Sequence, residues 1–121
     1  MKKVILVADD SPSIRKFVSF ALTMKGFDIV PACDGMEALE KLPSEKVNLV
    51  ITDLNMPNLD GFELIKAIRN NEDYRDIPII ILSSLAGSEE IQRGMDCGAN
   101  SYLIKPFDPK RIAYEVSKYI N

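Results

Sequence analysis

The chain has 121 residues, of which 46% are hydrophobic and 27% charged, and its formal net charge is -3. These values are typical of one compact globular domain over residues 1–121, large enough to bury a core without disulfides or structural metals. The acidic balance argues against a nucleic-acid partner, and the absence of histidine excludes Ser-His and Cys-His catalysis.

Targeting and metal signals are also informative. The apolar run before Asp9 covers only residues 4–8, so neither a signal peptide nor a membrane span is predicted. Cys33 and Cys97 form no CxxC motif, which argues against a zinc site, and they imply no disulfide. We therefore expect a cytoplasmic protein without membrane insertion. Any metal would need oxygen ligands, which favours Mg²⁺, Mn²⁺ or Ca²⁺.

Apolar runs alternate with helical patterns about five times along the chain, which is typical of a βαβ fold. The first predicted strand is Val4–Ala8, and the first helix begins at Pro12 and ends at Gly26. The second strand, Asp28–Ala32, contains Pro31. Proline cannot donate to a strand ladder, so this strand is predicted to lie at an edge of the sheet.

The middle of the chain contains two capping patterns and one buried strand. Asp34 and Glu37 precede a short second helix, which is predicted to stop at Pro43. Leu49–Thr52 is the third strand. Asp60 begins the same capping pattern before the third helix.

The last part of the chain begins with a predicted polar loop over Asn70–Asp76. Pro78–Ser83 is apolar enough to be a central strand. A helix is predicted to start near Ser88, followed by a shorter and more polar strand at Ser101–Ile104. Asp108 caps the last helix.

The first, third and fourth strands are the most apolar, and the second and fifth have the character of edges. This agrees with a doubly wound (βα)5 fold, flavodoxin-like, with a five-stranded parallel sheet of order 2-1-3-4-5. In such a sheet the carboxyl ends of all strands lie along one edge. Side chains that follow different strands therefore meet in one pocket at that edge.

Polar side chains occur at four of these strand ends. Asp9 and Asp10 follow the first strand and Asp53 the third, Ser83 ends the fourth, and Lys105 follows the fifth. Taken one at a time, the aspartates also fit ordinary turns or helix caps, and Lys105 also fits an ordinary exposed lysine. Together they predict an oxygen-ligand Mg²⁺ site with an acidic nucleophile, because three close carboxylates repel one another unless a cation intervenes.

The remaining two groups suit a phosphoryl substrate. The Lys105 ammonium could contact phosphoryl oxygens, and the Ser83 hydroxyl could donate to one of them. The bond between Lys105 and Pro106 is a candidate for the cis form, which would determine where Lys105 points.

These residues lie in five motifs that span essentially the whole chain: Val7-Ala8-Asp9-Asp10-Ser11, the block from Asp53 to Gly61, Ser83-Ser84, Gly98-Ala99 and Lys105-Pro106-Phe107. With these motifs the chain resembles the receiver domain of two-component response regulators, most of all the single-domain chemotaxis type (CheY-like). The resemblance implies a phosphorelay signalling module that catalyses only its own aspartyl phosphorylation and slow autodephosphorylation.

The resemblance also implies roles for the site residues. Asp53 would be the phospho-acceptor. Asp10 and Asp53 would bind Mg²⁺ directly, with the backbone carbonyl of Asn55, and Asp9 would act mainly through a water. Lys105 would bind the phosphoryl group.

The resemblance further implies a switch. Ser83 would be the switch hydroxyl and Tyr102 the rotating aromatic side chain. The output protein would bind the face formed by the fourth helix, the fifth strand and the fifth helix. Two positions depart from the commonest pattern, since Ser83 replaces a frequent threonine and Leu85 is apolar where the enteric chemotaxis protein is acidic. Both leave the dephosphorylation rate and the output partner open.

A phosphohistidine donor must lie on another protein, because this chain has no histidine. A histidine kinase, a histidine phosphotransfer protein or a small donor such as acetyl phosphate would fit. Three alternatives stay open: a degenerate receiver that serves as a docking module, a flavodoxin-like cofactor binder and a Mg²⁺-dependent phosphohydrolase. In a flavodoxin-like cofactor binder, Asp9 and Asp10 would repel the phosphate of the cofactor. A phosphohydrolase of this kind needs a second acid, and this chain has Asn55 at that position.

Overall fold

A parallel sheet of five strands lies between two layers of helices in the computed structural model, which describes residues 2–121. The strands are β1 Val4–Ala8, β2 Asp28–Ala32, β3 Leu49–Thr52, β4 Ile79–Ser83 and β5 Ser101–Ile104. The helices are α1 Pro12–Thr23, α2 Gly35–Glu45, α3 Gly61–Arg69, α4 Ser88–Cys97 and α5 Pro109–Ser117. Each strand is followed by a helix, as a doubly wound fold requires.

The strand order is β2-β1-β3-β4-β5, which confirms the predicted order. Ile5 pairs with Leu49 across β1 and β3, and Val50 pairs with Ile79 across β3 and β4. These three strands are central and covered on both faces, which is the physical reason for their nearly continuous apolar sequences. β2, which contains Pro31, pairs only with β1 and forms one edge.

Alternating side chains divide the core into two layers, because successive residues of a strand point to opposite faces. Leu6 of β1 packs with the α2 and α3 side of the sheet, together with Ile65. Ile5 packs with the other layer, where Val18 of α1 and Val116 of α5 lie. No helix within residues 2–121 has the length and apolarity needed to cross a membrane.

The structure corrects two predicted helix ends. The prediction that the second helix stops at Pro43 was wrong, because α2 continues through this residue to Glu45. Pro43 removes one hydrogen bond of the helix, but the neighbouring Leu42 is buried and holds the turn against the core despite this loss. α1 ends at Thr23, before Gly26, which adopts a positive φ of 93° in the turn that follows.

Candidate functional site

The backbone ladder extends one residue beyond the strand ends and brings the polar residues into line. The amide of Asp9 donates to the carbonyl of Ala32 at 3.1 Å, and the amide of Asp53 donates to the carbonyl of Ala8 at 2.9 Å. The amide of Lys105 donates to the carbonyl of Ser83 at 2.8 Å. The first residues after β1, β3 and β5 are therefore positioned by the sheet itself.

Three carboxylates meet at this edge. Each of Asp9, Asp10 and Asp53 offers one oxygen, and these oxygens all lie within 4.8 Å of one another. Asp9 and Asp53 are buried, whereas Asp10 is exposed. The group therefore has two fixed acids at its base and one acid at the opening, which is a suitable arrangement for a hydrated cation that enters from solvent.

Lys105 lies between the two buried acids. Its Nζ is 3.0 Å from Oδ2 of Asp9 and 3.2 Å from Oδ2 of Asp53. The peptide bond between Lys105 and Pro106 is cis. One ammonium compensates only part of the charge of three carboxylates, so the site keeps a negative charge that a divalent cation would balance.

The pKa values of the pair reflect this crowding. Burial raises the pKa of Asp53; the charge of Lys105 opposes this effect, while that of Asp9 adds to it. Burial alone would lower the pKa of Lys105, but its hydrogen bond to Asp9 and the charges of Asp53 and Asp9 outweigh it, and the pKa is raised. Lys105 is therefore a cation across the physiological range.

Asp9 is held from several directions. Its Oδ1 accepts a hydrogen bond from the amide of Ser11 at 2.9 Å, and its carbonyl accepts one from Nη1 of Arg15 at 2.6 Å. Oδ1 of Asp53 accepts a hydrogen bond from the amide of Leu54 at 2.7 Å. These contacts orient both carboxylates before any ligand binds.

Sequence reasoning missed two of the supporting side chains. Arg15 lies in the first turns of α1, where the helix dipole disfavours a positive charge. A cation at this unfavourable position was the sequence feature that could have indicated its contact with Asp9. The Thr52 hydroxyl donates to the carbonyl of Asp53 at 2.8 Å, and a buried strand threonine carries no comparable signal.

Ser83 is next to the pocket, since its carbonyl accepts a hydrogen bond from the amide of Lys105, and it shares a neighbour with Tyr102. The buried Ser83 hydroxyl accepts a hydrogen bond from the amide of Leu85 at 3.1 Å. The Tyr102 hydroxyl donates to the carbonyl of the same Leu85 at 2.6 Å. Asn55, whose carbonyl the family resemblance implies as a metal ligand, is an exposed residue two positions after Asp53.

The oxygen-only cluster, the bridging lysine and the doubly wound sheet agree with one known family. The family model for the response regulator receiver domain matches residues 5–117. The chain therefore belongs to the response regulator receiver-domain family, whose members are modules of phosphorylation-dependent signalling.

Two relatives illustrate the range of proteins that carry this domain. The chain is 39% identical over 108 residues to a chemotaxis protein CheY homolog of Campylobacter jejuni, covering 88% of this chain and 83% of that protein. It is 40% identical over 111 residues to the probable transcriptional regulator ycf27 of Porphyridium aerugineum, covering 92% of this chain. The chain spans only 45% of that second relative.

Solved structures give the same result for the fold. The chemotaxis protein CheY4 of Vibrio cholerae matches with a TM-score of 0.93 and 36% identity, covering 99% of this chain and 100% of that one. The receiver domain of the sensor histidine kinase PA1611 of Pseudomonas aeruginosa matches with a TM-score of 0.91 and 26% identity, covering 99% of this chain and 98% of that one. That structure has a magnesium ion coordinated in its active-site cleft.

Proposed function

We propose that this chain is a signalling switch that accepts a phosphoryl group on Asp53. The observation that carries the proposal is the Lys105 ammonium, which lies within 3.2 Å of carboxylate oxygens of both Asp9 and Asp53. Asp53 follows the central strand β3, between the acid that follows β1 and the lysine that follows β5. Of the three carboxylates, Asp53 alone follows the middle strand of the sheet.

The chemistry is the transfer of a phosphoryl group from the donor's imidazole nitrogen to a carboxylate oxygen of Asp53. A carboxylate oxygen of Asp53 attacks phosphorus and forms an acyl phosphate, while the bond from phosphorus to the donor's imidazole nitrogen breaks and the imidazole leaves with the bonding electron pair. The negative charge on the phosphoryl oxygens then attracts Lys105, which exchanges its contact with the Asp53 carboxylate for one with the phosphoryl group. With acetyl phosphate as donor, acetate leaves instead.

Asp9, Asp10 and Asp53 are the residues that would hold Mg²⁺, together with the backbone carbonyl of Asn55. The three carboxylates, whose oxygens lie within 4.8 Å of one another, fit a hard divalent cation. When bound, such an ion would neutralise repulsion among the carboxylates and between Asp53 and an incoming phosphate. Mn²⁺ has the same ligand preference.

The donor is a phosphohistidine outside this chain, on a histidine kinase or a histidine phosphotransfer protein, since the chain contains no histidine. The chain acts on itself rather than on a released substrate. Its output is a changed affinity of the face formed by α4, β5 and α5 for a downstream protein. This part of the proposal is supported by the hydrogen bonds that join Ser83 and Tyr102 to Leu85, in the loop that leads into α4.

Acetyl phosphate and Mg²⁺, followed by mass spectrometric mapping, test the assignment of Asp53. We expect one acyl phosphate, on Asp53, and no label in the Asp53→Asn variant. Asp60→Asn is the matched control, because it makes the same substitution at a helix cap that asparagine also serves well. Label that persists in Asp53→Asn would refute the assignment. Intact protein that remains unlabelled would favour the docking-module alternative.

A further inference from the structure

Arg69, the last residue of α3, donates hydrogen bonds from all three nitrogens of its guanidinium group. Nε and Nη2 donate to the carbonyl of Gly98 at 3.0 and 2.7 Å, and Nη2 also donates to Oδ1 of Asn100 at 3.0 Å. Nη1 donates to the carbonyls of Arg75 and Ile77 at 2.8 and 2.6 Å. These are five hydrogen bonds, the full capacity of the group. We call Arg69 and its four acceptor residues the Arg69 cluster.

The cluster holds the carboxyl end of α4. Gly98 ends this helix with a φ of 119°, and its amide donates to the carbonyl of Met95 at 3.0 Å. A Cβ at Gly98 would lie 2.9 Å from Cγ and Nε of Arg69, so the close approach requires glycine. The last turn of α4 contains no basic residue, and Arg69 places a cation at the negative end of the helix dipole from another helix.

Asn100 connects the cluster to the centre of the sheet. Its amide donates to the carbonyl of Ile79 at 2.8 Å, and its Oδ1 accepts a hydrogen bond from the amide of Ile79 at 2.8 Å. Ile79 begins the central strand β4 and is fully buried. The carboxyl end of α4 is therefore joined to a buried strand in the interior of the sheet.

The amino end of α4 is held less firmly. Its cap is Gly87, which provides no side-chain hydrogen bond, and Gly94 is the one residue of α4 that is buried. The preceding loop is held at Leu85, by the side chains of Ser83 and Tyr102. Little apolar burial opposes a movement of this end, so its displacement costs less free energy than displacement of the carboxyl end.

We propose that α4 pivots about a carboxyl end that the Arg69 cluster holds against β4, so that phosphorylation displaces only its amino end. This inference rests on the proposed phosphorylation of Asp53. Arg69 contacts no reacting group and is a positioning residue. It determines which part of α4 responds and therefore which surface an output protein meets.

Amide NMR of the full chain tests the pivot, with Mg²⁺ and beryllofluoride as the probe for the phosphorylated state. In the unsubstituted protein we expect the chemical-shift changes within α4 to be concentrated at residues 84–92 and to be small at residues 95–100. Equal changes at both ends would overturn the pivot, and this result needs no variant. Acetyl phosphate labelling of a portion of the same protein without beryllofluoride separates the two proposals. Unlabelled protein would refute the proposed function and the pivot together, whereas labelled protein with equal changes at both ends of α4 would refute the pivot alone.

Two matched variants test the role of Arg69. Arg69→Gln and Arg75→Gln each remove one positive charge, but the Arg75 side chain is exposed and only its backbone carbonyl belongs to the cluster. In the metal-free protein, Arg69→Gln should accelerate hydrogen exchange of the Gly98 and Asn100 amides by about tenfold or more, as expected for lost bonds to a charged donor. Arg75→Gln should leave these exchange rates unchanged.

With beryllofluoride, the shift changes of Arg69→Gln should spread into residues 95–100, while acetyl phosphate still labels Asp53. If Arg69→Gln does not fold, Arg69→Lys serves instead, because it keeps the charge and loses the planar fork. Unchanged exchange at Gly98 and Asn100 in the folded variant would overturn the role of Arg69.

Discussion

The hydroxyl of Tyr102 donates a hydrogen bond to the backbone carbonyl of Leu85, with the two oxygens 2.6 Å apart. The amide of the same Leu85 donates to the Ser83 hydroxyl at 3.1 Å. One loop residue is therefore bonded on both sides by the two side chains of the proposed switch. If the Ser83 side chain rotated towards a phosphoryl group, the amide of Leu85 would lose its hydrogen bond. Leu85 would then be held less firmly, and the hydrogen bond from Tyr102 to its carbonyl would weaken.

Ser83→Ala tests this coupling. The variant removes the acceptor of the Leu85 amide, so we expect Asp53 to remain labelled by acetyl phosphate while the response around Tyr102 shrinks. The measurement is amide NMR with and without Mg²⁺ and beryllofluoride. Ser84→Ala, at the exposed neighbouring position, should respond like the unsubstituted protein. Equally large distal changes in Ser83→Ala would show that the signal takes another route.

Mg²⁺ should stabilise the fold, because it relieves repulsion among carboxylates whose oxygens lie within 4.8 Å of one another. Linkage predicts a gain of about 2.7 kcal/mol at roughly 100 times the dissociation constant. Asp10→Asn should lose most of this gain, and Asp73→Asn, at an exposed acid in the loop before β4, should keep it. Urea unfolding with and without Mg²⁺ measures both. A stability of the unsubstituted protein that does not depend on Mg²⁺ would contradict the metal site.

Gly94→Ala should destabilise the protein although alanine is the better helix former. A Cβ at Gly94 would lie 2.6 Å from Cδ1 of the buried Ile81 and 3.4 Å from the Tyr102 ring. Because Ile81 is fully buried, we expect an overpacking cost of about 1–3 kcal/mol, which over most of this range is larger than the gain of about 1 kcal/mol in helix propensity. Gln92→Ala, on the exposed face of α4, is the control. Denaturant unfolding that finds Gly94→Ala more stable than Gln92→Ala would disprove this packing argument.

Glu115 should make stability depend on pH in the acidic range. Burial raises its pKa, but hydrogen bonds from Lys118 and Ser101, with the charges of Lys118 and Arg111, outweigh burial and lower the pKa. A lowered folded-state pKa contributes stability above the ordinary pKa of 4.5, and this contribution is lost as the pH falls through the folded-state value. Glu115→Gln should thus flatten the acid limb of the stability curve.

Unfolding free energies between pH 7 and the acid range measure this effect. Glu89→Gln removes an exposed carboxylate on α4 and should leave the acid limb unchanged. Parallel curves for Glu115→Gln and the unsubstituted protein would exclude a role for Glu115.

The order of the strands could be predicted because it depends on a property visible in each segment. A strand with neighbours on both sides and helices on both faces must be almost entirely apolar, as β4 is over residues 79–82, and a strand with Pro31 cannot be central. The same topology places every residue after a strand on one edge. The sequence therefore determined that Asp9, Asp53 and Lys105 would meet, before any distance was known.

The continuation of α2 through Pro43 could not be predicted in this way. A proline removes one hydrogen bond of a helix, and whether the helix nevertheless continues depends on what the rest of the turn buries. Here Leu42 packs against the core, which is a contact with residues distant in sequence. Local propensity alone gave the wrong end of the helix.

Only the tertiary structure decided how Leu85 and Arg69 are bonded. Leu85 reads as an ordinary apolar residue after a strand, and Arg69 as a cation at the end of an amphipathic helix. Leu85 is bonded through its own backbone amide and carbonyl, and four of the five Arg69 hydrogen bonds go to backbone carbonyls. Such backbone groups are common to nearly every residue, so no sequence pattern marks them. Arg69 reaches the carbonyl of Gly98, 29 positions away, because packing of α3 beside the turn that ends α4 brings the two within 2.7 Å.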